Sequence, residues 1–170
     1  MIKAVADSGP LIHLAIVGQI ALLPRYAHPI LIVPQVYEEV VTQGAGKPGA
    51  QELEAACQAG VVQIREMIDR QLISRVRQAS PPTLSDVDVM VVALAMEQQA
   101  ALLSDDAAVR TLAVGQGLSV IGSIGVLTRA RLDGVIPALK PLLDQLVASG
   151  FHLDPHGQVY QDAVRRVGEA

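Results

Sequence analysis

Five aspartates lie either directly after a short apolar run or in the first turn of a predicted helix. If the apolar runs are strands of one parallel sheet, these aspartates lie at the same edge of that sheet. They are Asp7, Asp86, Asp88, Asp105 and Asp106. Carboxylates held together repel one another, so a site that gathers three or four of them needs a cation. Oxygen ligands, with no cysteine and no histidine at ligand spacing, favour Mg²⁺ or Mn²⁺ over zinc. Such an ion can activate a water and neutralise a phosphodiester, so the pattern predicts phosphodiester hydrolysis.

Each acid also has a purely structural interpretation. Asp7 can cap the helix that follows it, and so can Asp105 or Asp106. Ser85 and Asp88 are spaced as a capping box in which Asp replaces the usual Glu. The functional interpretation depends on the joint pattern, because several acids at matching strand ends are a rarer coincidence than any one of them.

Helical geometry helps to choose within two acidic pairs. Asp86 and Asp88 are two residues apart and project about 200° from each other on a helix, so only one of them can face a site. Glu39 lies next to Val40, nearer the apolar edge of its helix than Glu38. This periodicity gives only a slight preference for Glu39.

The elements that must carry these acids alternate between strand and helix. Strands are predicted at residues 2–6, 30–33, 61–64, 101–104 and 118–121. Helices are predicted at residues 11–17, 35–42, 50–59, 86–98, 106–114, 124–132, 138–149 and 158–167. Short apolar strands between helices predict a three-layer α/β/α domain with a central, mostly parallel sheet. Ligands of such sheets bind beyond the carboxyl ends of the strands.

Composition narrows the class of protein. The 170 residues are 51% hydrophobic with one Phe and no Trp, so an aliphatic core of one domain is expected. Cys57 is the only cysteine, which excludes an intrachain disulfide and favours the cytoplasm. The apolar stretch at residues 8–24 is interrupted by Gly, Pro, His and Gln, so neither a signal peptide nor a membrane span is expected.

Six segments carry a further pattern. They are residues 5–12 (VADSGPLI), 33–40 (VPQVYEEV), 84–88 (LSDVD) followed by ALA at 93–95, 102–106 (LLSDD), 121–127 (IGSIGVL) and 140–144 (KPLLD). In this order they resemble the PIN-domain family, and in particular its VapC-like branch of predicted nucleic-acid-binding proteins. The resemblance covers nearly the whole chain and implies a PIN-like fold.

The resemblance implies a metal-dependent endoribonuclease, commonly the toxin of a type II toxin–antitoxin pair. Matched residue by residue, the four acids of the family fall on Asp7, Glu39, Asp88 and Asp106. Asp7, Asp88 and Asp106 are the expected ligands of Mg²⁺ or Mn²⁺, and Asp105 could share or take the role of Asp106. Glu39 would orient or deprotonate the water, directly or through a second ion.

The same resemblance sets the expected organisation and partners. Residues 1–150 are expected to form the nuclease domain, and residues 151–170 a C-terminal extension with a helix, packed on the same domain. The expected partners are an RNA substrate, a cognate antitoxin and a second copy of the chain, with no membrane. The aliphatic residues 11–23 are candidates for the dimer or antitoxin contact.

The charge balance agrees with local rather than bulk contact to RNA. The chain has 13 basic and 17 acidic residues, and cancelling the four metal-binding acids would leave 13 of each. Residues 65–77 carry four arginines that could contact an RNA backbone, although a solvated surface helix is the slightly favoured interpretation. His13 is expected to be a core or edge residue. Pro155 makes a helical metal pair of His152 and His156 improbable.

Two other functions stay open at this point. One is a PIN-fold protein-interaction module with weak or no catalysis. The other is a phosphoacceptor domain of the flavodoxin-like type, in which one aspartate at a strand end is phosphorylated.

Overall fold

The structure, a computed structural model, describes residues 1–67 and 69–170. In these residues five strands form one parallel sheet in the order β3-β2-β1-β4-β5. The strands are β1 (Ile2–Ala6), β2 (Ala27–Ile32), β3 (Val62–Ile64), β4 (Ala101–Leu103) and β5 (Val120–Ile121). Helices flank the sheet, so the predicted three-layer α/β fold is confirmed.

The helices that the structure describes connect the strands and cover the sheet. They are α1 (Ser8–Ile16), α2 (Leu23–Tyr26), α3 (Pro34–Tyr37), α4 (Ala50–Gln58), α5 (Arg70–Ala79), α6 (Asp86–Glu97), α7 (Ala107–Gly115), α8 (Ser123–Leu132), α9 (Lys140–Ala148) and α10 (Gln158–Arg166). None of these described helices is long and apolar enough to cross a lipid bilayer.

Strand β1 lies at the centre of the sheet and is buried on both faces. Its last residues are small or aliphatic because helices cover both sides of a parallel sheet. Ala6 pairs with Leu103 of β4, and the backbone N–H of Asp7 donates to the carbonyl of Leu103 at 2.9 Å. The residues that follow β1 and β4 therefore lie side by side at the carboxyl edge of the sheet.

Helix α6 is apolar nearly all round, as its sequence predicts, and it is the most deeply buried helix beside the sheet. Its consecutive residues Val91, Val92, Ala93, Leu94 and Ala95 are fully buried. The helix packs against β1 and β4 and also against α5 and α7. This packing fixes its N-terminal turn, which carries Asp88, close to the edge where β1 and β4 end.

One predicted helix takes a different form in the structure, and one segment with an open interpretation is assigned. The helix expected at residues 35–42 forms as α3 followed by a π-helical turn, Glu38–Thr42, closed by a hydrogen bond from Gln43 N to Glu38 O at 2.9 Å. In the arginine-rich segment, Arg70–Ala79 form the largely exposed helix α5, which agrees with the favoured interpretation of a surface helix. Leu72 and Val76 are the buried residues of α5, so its apolar face is too narrow to stand out in the sequence.

The C-terminal segment packs on the same body as the rest of the chain. Helix α10 contacts α8, and Glu169 lies at the start of α9. Its carboxylate accepts the backbone N–H groups of Leu139 and Lys140 and pairs with Arg131 Nε at 2.7 Å. Burial opposes ionisation of Glu169, but these hydrogen bonds outweigh it and lower its pKa. Glu169 therefore ties the end of the chain to α8 and α9.

Candidate active site

A cavity of about 620 Å³ opens at the carboxyl edge of the sheet. Its acidic lining residues are Asp7, Glu39, Asp88, Asp105 and Asp106. These are the five site residues predicted from the sequence, and they come from four separate turns of the fold, with Asp105 and Asp106 adjacent in one of them. We call this space the acidic cavity.

Asp7 is the most buried of the acids around the β1 end, with 8% of its surface exposed. Its Oδ1 accepts the Ser8 backbone N–H at 2.8 Å and so caps α1, and its Oδ2 accepts the Ser104 hydroxyl at 3.0 Å. Burial raises the pKa of Asp7 to about 6, and the charges of Asp88 and Glu39 add to the rise. A bound proton or a nearby cation would therefore remove the electrostatic cost of the charged Asp7 carboxylate.

Ser104 links the ends of β1 and β4. It is fully buried, and its hydroxyl donates to Asp7 while accepting the backbone N–H of Asp106 at 3.3 Å. Asp106 caps α7, because its Oδ1 accepts the Val109 N–H at 2.9 Å. The serine thus fixes Asp7 relative to the start of α7.

Asp88 serves the structural role that its spacing from Ser85 indicated. Its Oδ2 accepts both the backbone N–H and the hydroxyl of Ser85 at 2.8 Å, and Asp88 N donates to the same hydroxyl. Asp86 lies outside the cavity, where its Oδ1 pairs with Arg77 at 2.5 Å. The structure therefore places Asp88, and not Asp86, at the acidic cavity.

Glu39 reaches the cavity from the π-helical turn. Its Oε1 accepts the Ser8 hydroxyl at 3.2 Å, which connects it to the residue that follows Asp7. Glu38 lies outside the cavity lining. Wide helical turns of this kind occur frequently at functional sites, since they re-aim one side chain without breaking the helix.

Asp105 is held by three donors. Its Oδ1 accepts the Ser123 N–H at 2.7 Å, and its Oδ2 accepts the Ser123 hydroxyl at 2.5 Å and lies 2.7 Å from His13 Nδ1. Burial opposes ionisation, but the contacts with His13 and Ser123 outweigh it, so the pKa of Asp105 is lowered. A Cβ at Gly122 would lie 2.6 Å from Asp105 Oδ1, so this close approach requires glycine.

Three residues of the cavity were missed by sequence reasoning as site residues. His13 is held by Asp105 and packs against Phe151 with a ring-centroid distance of 4.3 Å, and His152 lines the same wall. His156 does not line the acidic cavity, so His152 and His156 do not act there as the metal-binding pair that Pro155 argued against. No local signal could reveal these neighbours, because α1 and residues 151–152 lie at opposite ends of the chain.

The donor set fits a hard divalent cation by its chemistry. Carboxylate oxygens are the ligands that Mg²⁺ and Mn²⁺ prefer, and the raised pKa of Asp7 is a repulsion that a cation would relieve. Over residues 1–67 and 69–170, no three His, Cys, Asp or Glu side chains are close enough together to hold a metal ion. The carboxylates therefore fit the ion by their chemistry but do not form a three-ligand cluster in the positions described above.

A parallel sheet with five carboxylates at its carboxyl edge defines the class: an α/β domain with an acidic site. A family model described as a PIN domain matches residues 3–169, nearly the whole chain. The chain therefore belongs to the PIN-domain family, and the resemblance is confirmed at that level. PIN domains are in general nucleases, and they typically use divalent metal ions. No curated protein matches the chain.

Proposed function

We propose that this protein is a metal-dependent endoribonuclease that hydrolyses RNA phosphodiester bonds with Mg²⁺ or Mn²⁺. The observation that carries the proposal is the state of Asp7, a buried carboxylate whose pKa is raised to about 6 beside Asp88 and Glu39. Such a group is already largely ionised at neutral pH, where burial and repulsion from its neighbours make its charge costly. A divalent cation bound among Asp7, Asp88 and Glu39 would offset that cost.

Asp7, Asp88 and Asp106 are the proposed ligands. Each is already fixed by a hydrogen bond at the start of a helix, which limits the rotation lost on binding. Among the described residues, Asp88 Oδ1 and Asp106 Oδ2 accept no hydrogen bond, so each has an oxygen to offer. The bound ion would polarise a water and neutralise the charge of the phosphodiester.

Glu39 is the proposed water-orienting residue. The Ser8 hydroxyl holds its Oε1, and Oε2 accepts no hydrogen bond from the described residues. A carboxylate held in this way can accept the proton of an attacking water. Asp105 is committed to Ser123 and His13, and for this reason we assign the fourth acidic role to Asp106.

We further propose that the protein belongs to the VapC-like branch and is a cytoplasmic toxin with a cognate antitoxin and a dimeric state. The six segments that resemble this branch support the proposal. In residues 11–23, the candidate contact segment, Leu11, Leu14, Leu22 and Leu23 are buried in the core of the protein itself. A partner could therefore contact only the other residues of that segment. Light scattering tests the dimer, and co-purification with the product of a small neighbouring reading frame tests the antitoxin.

The decisive experiment is cleavage of labelled single-stranded RNA by the purified protein with Mg²⁺ or Mn²⁺. EDTA and Asp7→Asn should each abolish cleavage, and Asp88→Asn should reduce it by about a hundredfold or more. Asp86→Asn is the matched control on the same helical turn and should retain activity, because Asp86 faces away from the cavity. Cleavage at the wild-type rate in both EDTA and Asp7→Asn would refute the proposal.

The competing function is a PIN-fold interaction module that has lost catalysis. The observation in its favour is that the described acidic side chains are not drawn together into a three-ligand cluster. Isothermal titration with Mn²⁺ separates the two functions. A nuclease site should bind the ion saturably and lose that binding in Asp7→Asn, whereas a degenerate site should show no saturable binding.

A further inference from the structure

A second cavity of about 790 Å³ adjoins the acidic cavity. Its walls come from α7, β5, the first turn of α8 and residues 151–159. The two cavities share the wall residues Asp105, Ala107, Phe151 and His152. A chain molecule bound over the acids can therefore continue into the second space, which we call the side cavity.

The side cavity is lined by both apolar and polar residues. The apolar residues are Val120, Ile121, Ile124, Phe151, Leu153 and Val159, and the polar or charged ones include Arg110, Thr111, His152, Gln158, Asp105 and Asp154. A largely apolar cleft with a few polar groups is typical of sites for flat, polar-edged ligands. A nucleobase has that character, with two apolar faces and a hydrogen-bonding edge.

Phe151 is the only phenylalanine of the chain, and it stands at the boundary between the two cavities. Its position is fixed on two sides. Its backbone N–H donates to Leu146 O at 3.1 Å, and its ring lies against His13 at 4.3 Å. A half-buried, fixed aromatic ring beside a nuclease site is suited to contact with a base.

Arg110 supplies a positive charge next to the acids. Its Nη1 donates to Ser104 O at 2.9 Å, and among the described residues it forms no ion pair with a carboxylate. The hydroxyl of Ser104 donates to Asp7, so Arg110 and Asp7 contact the same serine. An Arg without a carboxylate partner is a ready donor to a phosphate.

We propose that the side cavity binds one nucleotide of the RNA next to the scissile phosphate. The base lies against the apolar lining residues, Phe151 included, and its phosphate contacts Arg110. The identity of the ligand rests on the proposed nuclease function. A single pocket of this kind also agrees with a chain that has one Phe and no Trp, since it needs only one aromatic residue.

The test compares Val159→Glu with Val114→Glu in the intact protein. Val159 lines the side cavity and is 62% exposed, and Val114 lies on α7 outside both cavities and is 63% exposed. Neither substitution disturbs the core, so both variants should fold. The probe is a short, fluorescently labelled single-stranded RNA followed by anisotropy, with Ca²⁺ in place of Mg²⁺.

Val159→Glu should weaken RNA binding about tenfold, because the carboxylate repels the phosphate and occupies the wall of the cavity. Val114→Glu should stay within about twofold of the wild-type Kd. Equal affinity of the two variants would overturn the side-cavity proposal, and so would a wild-type protein that binds no RNA. Selective weakening without cleavage in Mg²⁺ or Mn²⁺ would support the cavity as an RNA site but refute the nuclease.

Crosslinking with RNA that contains 4-thiouridine gives a second, independent readout. Adducts on residues 151–159 or α7 are expected, and Val159→Glu should reduce them. Adducts confined to the arginine-rich residues 65–77, which do not line the side cavity, would overturn the proposal.

Discussion

Replacing Asp7 with Asn should make the metal-free protein more stable at neutral pH while it removes cation binding. The amide keeps an oxygen that can accept the Ser8 N–H, and its NH₂ group can donate to the Ser104 hydroxyl oxygen, which reverses the direction of that hydrogen bond. It carries no charge to desolvate, and it does not repel Asp88 or Glu39. The substitution therefore isolates the cost of the charge from the value of the hydrogen bonds.

The size of the effect follows from the pKa of Asp7, which rises from 3.8 to about 6 on folding. One pKa unit corresponds to about 1.4 kcal/mol, so the ionised carboxylate costs the folded protein roughly 3 kcal/mol at neutral pH. This is an upper limit for the gain in Asp7→Asn, because a buried amide has a desolvation cost of its own. In a chain of this length the gain corresponds to about 6–12 °C in Tm.

The pH dependence gives the effect its signature. A raised pKa means that the folded protein binds the proton more tightly than the unfolded chain does. The resulting stabilisation is fully present below pH 3.8 and is lost as the pH rises through about 6. Asp7→Asn cannot lose it, so the difference in stability between variant and wild type should be small near pH 4 and largest above about pH 7.

Thermal unfolding in EDTA between about pH 4 and pH 8 measures this difference. Asp86→Asn is the control, because its side chain is 88% exposed and lies on the first turn of α6. Added Mn²⁺ should raise the Tm of the wild type but not that of Asp7→Asn. A variant that gains nothing at pH 8, or gains equally at every pH, would refute the electrostatic reasoning. An equal response of both proteins to Mn²⁺ would refute the ligand role.

Three further outcomes are expected. Glu39→Gln should lower the cleavage rate by about a hundredfold or more, whereas Glu38→Gln should keep activity, because Glu38 lies outside the acidic cavity. Equal rates of the two variants in a steady-state assay would contradict the role of Glu39. Gly122→Ala should lower the free energy of unfolding by about 1–3 kcal/mol, because the new Cβ would lie 2.6 Å from a carboxylate oxygen. Gly115→Ala is the control: its Cβ meets open space, so the variant should be neutral or slightly more stable in urea unfolding. Glu169→Gln should lower the free energy of unfolding by about 1–3 kcal/mol at pH 7. The loss should shrink as the pH falls below 4.5, because the lowered pKa means that only the ionised carboxylate stabilises the fold. An unchanged Tm would contradict the stabilising contacts of Glu169 with Arg131 and the start of α9.

The sheet and the acids at its edge could be predicted because their signals are local. A buried parallel strand is a short apolar run, and β1 and β4 stand out in this way. Helix α6 is apolar on nearly all sides, and the angle between Asp86 and Asp88 on that helix indicates that only one of them can face a site, while the family resemblance selects Asp88. Strand β2 is the weakest of these predictions, since it begins at Ala27, three residues before the apolar run used to locate it.

The rest of the site depends on contacts between distant segments. The π-helical turn around Glu39 is a property of packing, with Val40 held in the core, and helical periodicity alone does not reveal it. The pairs of His13 with Asp105 and with Phe151 join α1 to residues far along the chain. A sequence shows which residues are available for such contacts but not which of them meet, and so the side cavity could not be foreseen.

Asp7 and Asp106 are the N-caps of α1 and α7, and Asp88 completes the capping box of α6 with the N-cap Ser85, so the proposed ligands also stabilise helix starts. Asparagine caps a helix about as well as aspartate does, so an amide at Asp7 or Asp106 preserves the helix start and erases the charge. One nucleotide change in a codon can thus turn a nuclease of this design into an inert scaffold that still folds. In related chains, loss of carboxylate charge, rather than loss of the capping residues, would mark the members that have given up catalysis.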